Sequence, residues 1–248
     1  MRFVTFRLKR LYPLFLLFGI GAFTLLCLFV SVPYASHALG QASVSAMTEA
    51  SVPPVIILDA GHGGEDCGAI GDSGVYEKDL NLSVTLELGR ILTEAGYTVV
   101  YTRTEDRLLY KEEENIRGMR KIYDLKNRCA VAQAYEDATF VSLHMNSFGD
   151  ARYSGLQVYY APANEDSRLL AEAIQSTVCQ RLQTDNRRKI KSGTDMYVLE
   201  HAGVPAVLVE CGFISNREEC ERLCDATYRT SLAQAIADAI ASRRPLGE

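Results

Sequence analysis

The chain contains no tryptophan, so any surface that stacks on sugar rings has to come from its 13 tyrosines and 9 phenylalanines. It has no internal repeat, no low-complexity tract and no second module after its last helical pattern, which excludes separate binding repeats. Acidic residues are missing from the first 38 positions, where Arg2, Arg7, Lys9 and Arg10 are the only charges. The formal net charge is -5, and removing those four cations leaves 22 basic against 31 acidic groups in the rest, so the body stands near -9. A duplex-binding domain needs a basic footprint to neutralise phosphates, so nucleic acid is excluded as a partner. With 48% hydrophobic and 23% charged residues in 248, wholesale disorder, collagen and a polytopic membrane protein are excluded too.

Charge is also absent from Leu11 to Val32. A helix of that length reaches about 33 Å and can cross a hydrocarbon core of about 30 Å. Basic residues before it and none shortly after predict a cytoplasmic N-terminus with the body outside. Residues 1–38 therefore read as a signal or anchor with a transmembrane helix at 11–32. Cleavage after Ser36-His37-Ala38 is the other outcome, and the length of the apolar run favours a retained anchor. Residues 39–53, rich in Ala, Ser, Val and Pro, read as a tether.

Residues 54–248 read as one α/β domain. Val55 to Leu58 is a continuous apolar run ending in Asp59-Ala60-Gly61, as expected of a strand buried on both faces. Leu80, Val84, Leu88, Ile91 and Leu92 follow at helical spacing. Strand patterns recur at 97–101, 139–143, 156–160, 196–199 and 206–209. Helical patterns run through Ile122, Leu125, Cys129 and Ala132, through Leu170, Ile174 and Val178, and from Leu232 to Ile240. The alternation predicts a mostly parallel twisted sheet of about six strands with helices on both faces.

In such sheets ligands bind beyond the carboxyl ends of the strands. There the chain places Asp59-Ala60-Gly61-His62-Gly63-Gly64, with Glu77 immediately before the first helix, then His144-Met145-Asn146-Ser147, then Glu210-Cys211-Gly212-Phe213. Two imidazoles and a carboxylate leave one tetrahedral position open, the donor set of a catalytic zinc site. Two blander readings stay open from spacing alone: hydrogen-bonded structural histidines, or a glycine loop that cradles phosphate. The loop lacks GxGxxG and GxxxxGK[ST] spacing, and its acids repel an anion.

These stretches, with Gly74-Val75-Tyr76-Glu77-Lys78, resemble the zinc-dependent N-acetylmuramoyl-L-alanine amidases, with the motifs in the family's order from residue 54 to about 243. The resemblance implies that His62, Glu77 and His144 bind Zn²⁺ and that Glu210 is the catalytic acid/base. It implies hydrolysis of the amide between N-acetylmuramic acid and L-alanine of peptidoglycan. Cys67 departs from the family's usual pattern, in which proline is common, and the departure falls outside the residues matched to the metal ligands. The 124–128 segment, Asp124-Leu125-Lys126-Asn127-Arg128, is most similar to the sporulation branch, associated with making the muramic lactam of spore cortex.

Asn146 and Ser147, next to a ligand, and Arg188 and Lys191, in the basic run 187–191, are candidate substrate contacts; solvated loop is the alternative for the run. His201, in the turn before the 206–209 strand, reads as structural or solvent-facing, with a substrate-facing role as the alternative. The Glu112-Glu113-Glu114 run reads as solvated surface. Six cysteines lie beyond the tether, and spacing selects no pairing, although Cys220 and Cys224 share a helix face. Only ten residues separate His144 from Gly155, too few for an occluding helix, so an open groove is expected. The expected partners are glycan strands and stem peptides, the membrane through residues 11–32, and an activating protein. A zinc carboxypeptidase on stem peptides and an inactive wall-binding protein are the rival readings.

Overall fold

Ile56, Ile57 and Leu58 are wholly excluded from solvent because the strand they form has helices over both of its faces. The computed structural model describes residues 53–244 except 112, 114, 116 and 117. Strand β1 (Val55–Ala60) leads through a long loop to helix α1 (Glu77–Glu94). There follow β2 (Thr98–Tyr101), α2 (Arg120–Gln133), β3 (Ala138–Asn146), β4 (Gln157–Tyr160) and α3 (Glu165–Arg181). The chain continues with β5 (Lys191–Ser192), α4 (Tyr197–His201), β6 (Ala206–Phe213), α5 (Arg217–Cys224) and α6 (Ala226–Arg243).

The six strands form one sheet in the order β2-β1-β3-β6-β4-β5. β1 runs parallel to β2 and β3, and β3 parallel to β6. β4 is antiparallel to β6, so the sheet is mixed. Alternation of side chains divides the core in two. Val141, Leu143, Val207 and Val209 pack under α1, α3, α5 and α6, while Ile57, Phe140 and Leu208 pack under α2 and α4. Helices α3, α5 and α6 are capped by Asn164, Asn216 and Asp225, whose side chains accept from Ser167, Glu219 and Tyr228 backbone N–H groups.

Three expectations need correction. Residues 196–199 do not form a strand: Asp195 takes φ 73° inside the turn that Met196 N–H closes on Gly193 O, and Tyr197 opens α4 instead. A four-residue apolar run does not separate the two periods. Glu77 does not precede α1 but is its first residue. The preceding signal or transmembrane helix, and with it a membrane partner, is withdrawn from the fold. Among the described residues no helix is long and apolar enough to cross a membrane, and 11–32 lies outside the described residues. Glu112 and Glu114 also lie outside them, and Glu113 is exposed.

Candidate metal centre

The loop after β1 is fixed by two buried arginines. Arg128 from α2 donates to Asp59 Oδ1 (2.6 Å), Ala60 O and His62 O (both 2.7 Å), and Asp124 Oδ2 (2.7 Å). Arg103 donates to the carbonyls of Ala60, Gly61 and Lys78. Burial pushes the Asp59 carboxyl up, yet the Arg128 charge and hydrogen bonds from Ser142 and Thr102 hold it below its ordinary value. With three successive carbonyls turned toward the guanidinium groups, His62 is held at φ 61°. That left-handed conformation is unusual for a residue with a side chain and marks a site whose surroundings impose it.

Glu77 comes to the same point from the N-terminus of α1. Its backbone N–H donates to Ala69 O, and its Oε2 accepts from Ala69 N–H at 2.9 Å. Gly68, at φ 66°, fits against this carboxylate; a Cβ there would lie 2.5 Å from Oε2. Oε1 then faces His62 Nε2 at 3.2 Å and His144 Nδ1 at 3.0 Å. Burial alone would raise the Glu77 carboxyl, but hydrogen bonds to His144 and His62 hold it far below the usual carboxylate range. Burial works against charging His62, and its hydrogen bonds to Glu77 and Asp66 raise it above its ordinary value.

The three donors fit a metal. One ligand atom from each of His62, Glu77 and His144 lies within 4.8 Å of the others. Donors about 2.0–2.1 Å from a tetrahedral zinc stand about 3.3 Å apart, close to the 3.0 and 3.2 Å found here. Asp66 Oδ2 lies 3.0 Å from His62 Nδ1, so the ring's second nitrogen is held by a carboxylate, as metal-bound imidazoles usually are. A cavity of about 190 Å³ opens beside His62 and His144, lined also by Leu125, Met196, Tyr197 and Leu208.

Glu210 sits opposite His144 in register on the neighbouring strand. Burial pushes its carboxyl up to about 7, against the charge of His144 and with that of Glu77. Its Oε2 is buried with no hydrogen-bond partner among the described residues. On the other side of β6, Gln157 pairs in register with Glu210. Asn146 ends β3, its carbonyl accepting from Ile214 N–H, and Ser147 is exposed just after it. Arg188 lies beside Gln157, while Lys191 is exposed on the edge strand over Tyr159. His201 stacks on Tyr197, and its Nδ1 lies 2.9 Å from Tyr197 O. The six cysteines are free thiols, Cys220 and Cys224 both near Ser73 Oγ.

Sequence reading passed over Asp66, Arg103, Gln157 and Glu219, and took Asp59 and Arg128 only as parts of motifs. Asp66 stands four residues after His62, a spacing that offered a signal. The buried arginines offered none.

The model of the N-acetylmuramoyl-L-alanine amidase family matches residues 56–242. YqiI of Bacillus subtilis, an uncharacterized protein, is 39% identical over 189 residues, covering 75% of this chain and 83% of that one. The germination-specific N-acetylmuramoyl-L-alanine amidase of the same organism is 32% identical, covering 73% and 76%. The amidase CwlD of Clostridioides difficile, solved in complex with the GerS lipoprotein, superposes with a TM-score of 0.73 at 39% identity, covering 77% of this chain and 98% of that one.

Proposed function

This chain belongs to the N-acetylmuramoyl-L-alanine amidase family, and on that premise we propose a role for each residue of the centre and a setting for the reaction. The protein is a zinc-dependent amidase acting on peptidoglycan, with His62, Glu77 and His144 as the metal donors. Zinc held by His62, Glu77 and His144 would supply an acidified water, with a pKa lowered to about 7, and would polarise the scissile carbonyl. Glu210 would accept a proton at its carboxylate and return it to the leaving alanine nitrogen. The observation that carries this assignment is the placement of Glu210, opposite His144 in register on the neighbouring strand and with its buried Oε2 free of any hydrogen-bond partner among the described residues, so that its carboxyl, which burial raises, is open to accept and return a proton. Asp66 keeps the His62 ring oriented, and Arg103 and Arg128 keep the loop in place before substrate arrives.

The substrate lies outside the cytoplasmic membrane, so the enzyme acts extracytoplasmically. Its likeness to a germination-specific amidase and to CwlD supports work on spore cortex, where removing the stem peptide precedes formation of muramic lactam. CwlD was solved with a lipoprotein bound, which supports an activating protein for this chain as well.

The test is digestion of purified peptidoglycan by the zinc-loaded full chain, followed by mass analysis. Release of whole stem peptides from intact glycan is expected. Release of single carboxyl-terminal amino acids instead would make the protein a carboxypeptidase. Cortex work predicts that spores lacking the protein have lost muramic lactam; spores with normal lactam content refute it.

A further inference from the structure

The face that holds His144 and Glu210 continues across the sheet to an arginine built into an aromatic ledge. Gln157, 2% exposed, pairs in register with Glu210. Its Oε1 accepts from Arg188 Nη1 at 3.3 Å, and its Nε2 donates to Lys189 O. Arg188 Nε donates to Ser154 O at 2.8 Å. The guanidinium lies 4.5 Å from the centre of the Phe213 ring and 5.6 Å from that of Tyr153, within the range in which a cation is held by a ring face. Phe213 and Tyr153 are themselves stacked at 6.2 Å.

The arrangement leaves the charge without an anionic partner among the described residues. Arg188 has five N–H donors, and its bonds to Ser154 and Gln157 occupy two of them, both on neutral acceptors. Glu219, which feels its charge, has both oxygens engaged by the N–H groups of Gly155 and Phe213. Among the described residues Arg188 makes no ion pair, and neither do Arg187, Lys189 and Lys191 beside it. A clamp between Ser154 and β4 needs hydrogen bonds but not a cation. A half-buried guanidinium with three of its five donors unused among the described residues is fitted to a carboxylate.

We propose that Arg188 reads a carboxylate on the peptide side of the scissile amide, the α-carboxylate of the second stem-peptide residue. This rests on the amidase reading, and the direction follows from it. Glu210 protonates the leaving nitrogen, so the peptide departs from the Glu210 side, away from the three metal donors and over Gln157. Neighbouring strands lie about 4.8 Å apart, which puts β4 about 10 Å from β3. An extended residue spans about 3.5 Å, so alanine, which brings no charge, is crossed before Arg188 is reached. The second residue is the first to carry a carboxylate, and in amidated peptidoglycan that group is a neutral carboxamide. The enzyme therefore distinguishes amidated from unamidated wall.

The experiment uses the zinc-loaded full chain and two synthetic disaccharide dipeptides that differ only in a carboxylate or a carboxamide on the second residue. The wild-type protein is expected to favour the carboxylate in kcat/KM by about ten- to hundredfold, the worth of a hydrogen bond to a charged group. Arg188→Gln is expected to bring the ratio near one, with the loss confined to the carboxylate substrate. Arg188→Lys keeps the charge without the fork and lowers the ratio part of the way. A wild-type ratio of one overturns the inference. So does a ratio that both variants leave unchanged while lowering turnover of the two substrates equally, because that is a clamp. Hydrolysis of neither substrate by the wild-type protein overturns the amidase reading itself, a result distinct from turnover without discrimination.

Discussion

Replacing Gly61 with alanine tests whether the centre is a metal site held by a rigid scaffold. The added Cβ would lie 2.1 Å from His144 Nε2 and 2.2 Å from its Cε1. An ordinary contact between a methyl carbon and a ring atom is about 3.5 Å, so one of the two must retreat by more than about 1 Å. The backbone has little room to yield. β1 is hydrogen-bonded between β2 and β3, Gly61 N–H donates to Leu143 O at 3.1 Å, and Gly61 O is held by Arg103. The imidazole moves instead, and zinc donors tolerate only about 0.2 Å of displacement. Loss of a supporting contact costs about 10- to 100-fold in metal affinity, so displacement of a donor is expected to cost at least about 100-fold. Zinc affinity is read by competition with a chromophoric chelator, and far-ultraviolet circular dichroism checks that the fold persists. A folded Gly61→Ala variant that binds zinc as the wild-type protein does refutes the assignment of His144 or the rigidity of its setting.

Glu210→Gln is expected to retain zinc and lose about 10²- to 10⁴-fold in turnover, measured on purified peptidoglycan; loss of zinc instead makes Glu210 a ligand. Because burial raises this carboxyl to about 7, the fold disfavours its ionised form. The penalty is absent below the ordinary value of 4.5 and grows as pH rises through about 7. The same variant should therefore stabilise the metal-free chain by about 1–3 kcal/mol at pH 8 and leave it unchanged at pH 4, read from denaturant midpoints. Arg128→Met strands the buried Asp59 and Asp124 carboxylates and should destabilise the protein by about 3–5 kcal/mol. Asp59 is held below its ordinary value, so its stabilisation is complete above about pH 4 and fades as pH falls further. The acid-unfolding midpoint of Arg128→Met should accordingly rise; an unchanged midpoint refutes the network's role. Asp66→Asn should weaken zinc binding by about 10- to 100-fold without altering thermal unfolding, and wild-type affinity in that variant excludes Asp66 as the group that orients His62.

The centre was legible because His62, His144 and Glu210 sit just beyond or at the ends of apolar runs. Ile56 to Leu58, Val141 to Leu143 and Val207 to Val209 announce buried strands, and the first polar residues after them have to emerge at one edge. What periodicity could not convey was how the loop between β1 and α1 is pinned. Arg103 and Arg128 carry the signature of surface residues, yet each is 1% exposed because backbone carbonyls and carboxylates from distant segments converge on it. Such convergence is a tertiary property, with partners up to 69 residues apart. Gln157 was hidden for a related reason: only the antiparallel reversal of β4 brings it level with Glu210. The apolar 196–199 run misled because an apolar segment of that length satisfies either period once Gly193 and Asp195 have turned the chain.

The order of strands separates two kinds of inheritance. His62 follows β1, and His144 and Glu210 lie on β3 and β6, strands each paired on both sides, with Glu77 opening α1 beside them, while Gln157 starts β4 and Arg188 lies in the loop that leads to the two-residue edge strand β5. Amide protons at 141–143 and 207–209 should exchange with solvent only when the whole domain opens, whereas those at 191–192 need only a local parting of the edge. A lineage can therefore rewrite the edge, residue by residue, and change which wall chemistry is accepted, while the hydrolytic apparatus stays insulated from those substitutions. In this architecture taste is cheap to alter and chemistry is not.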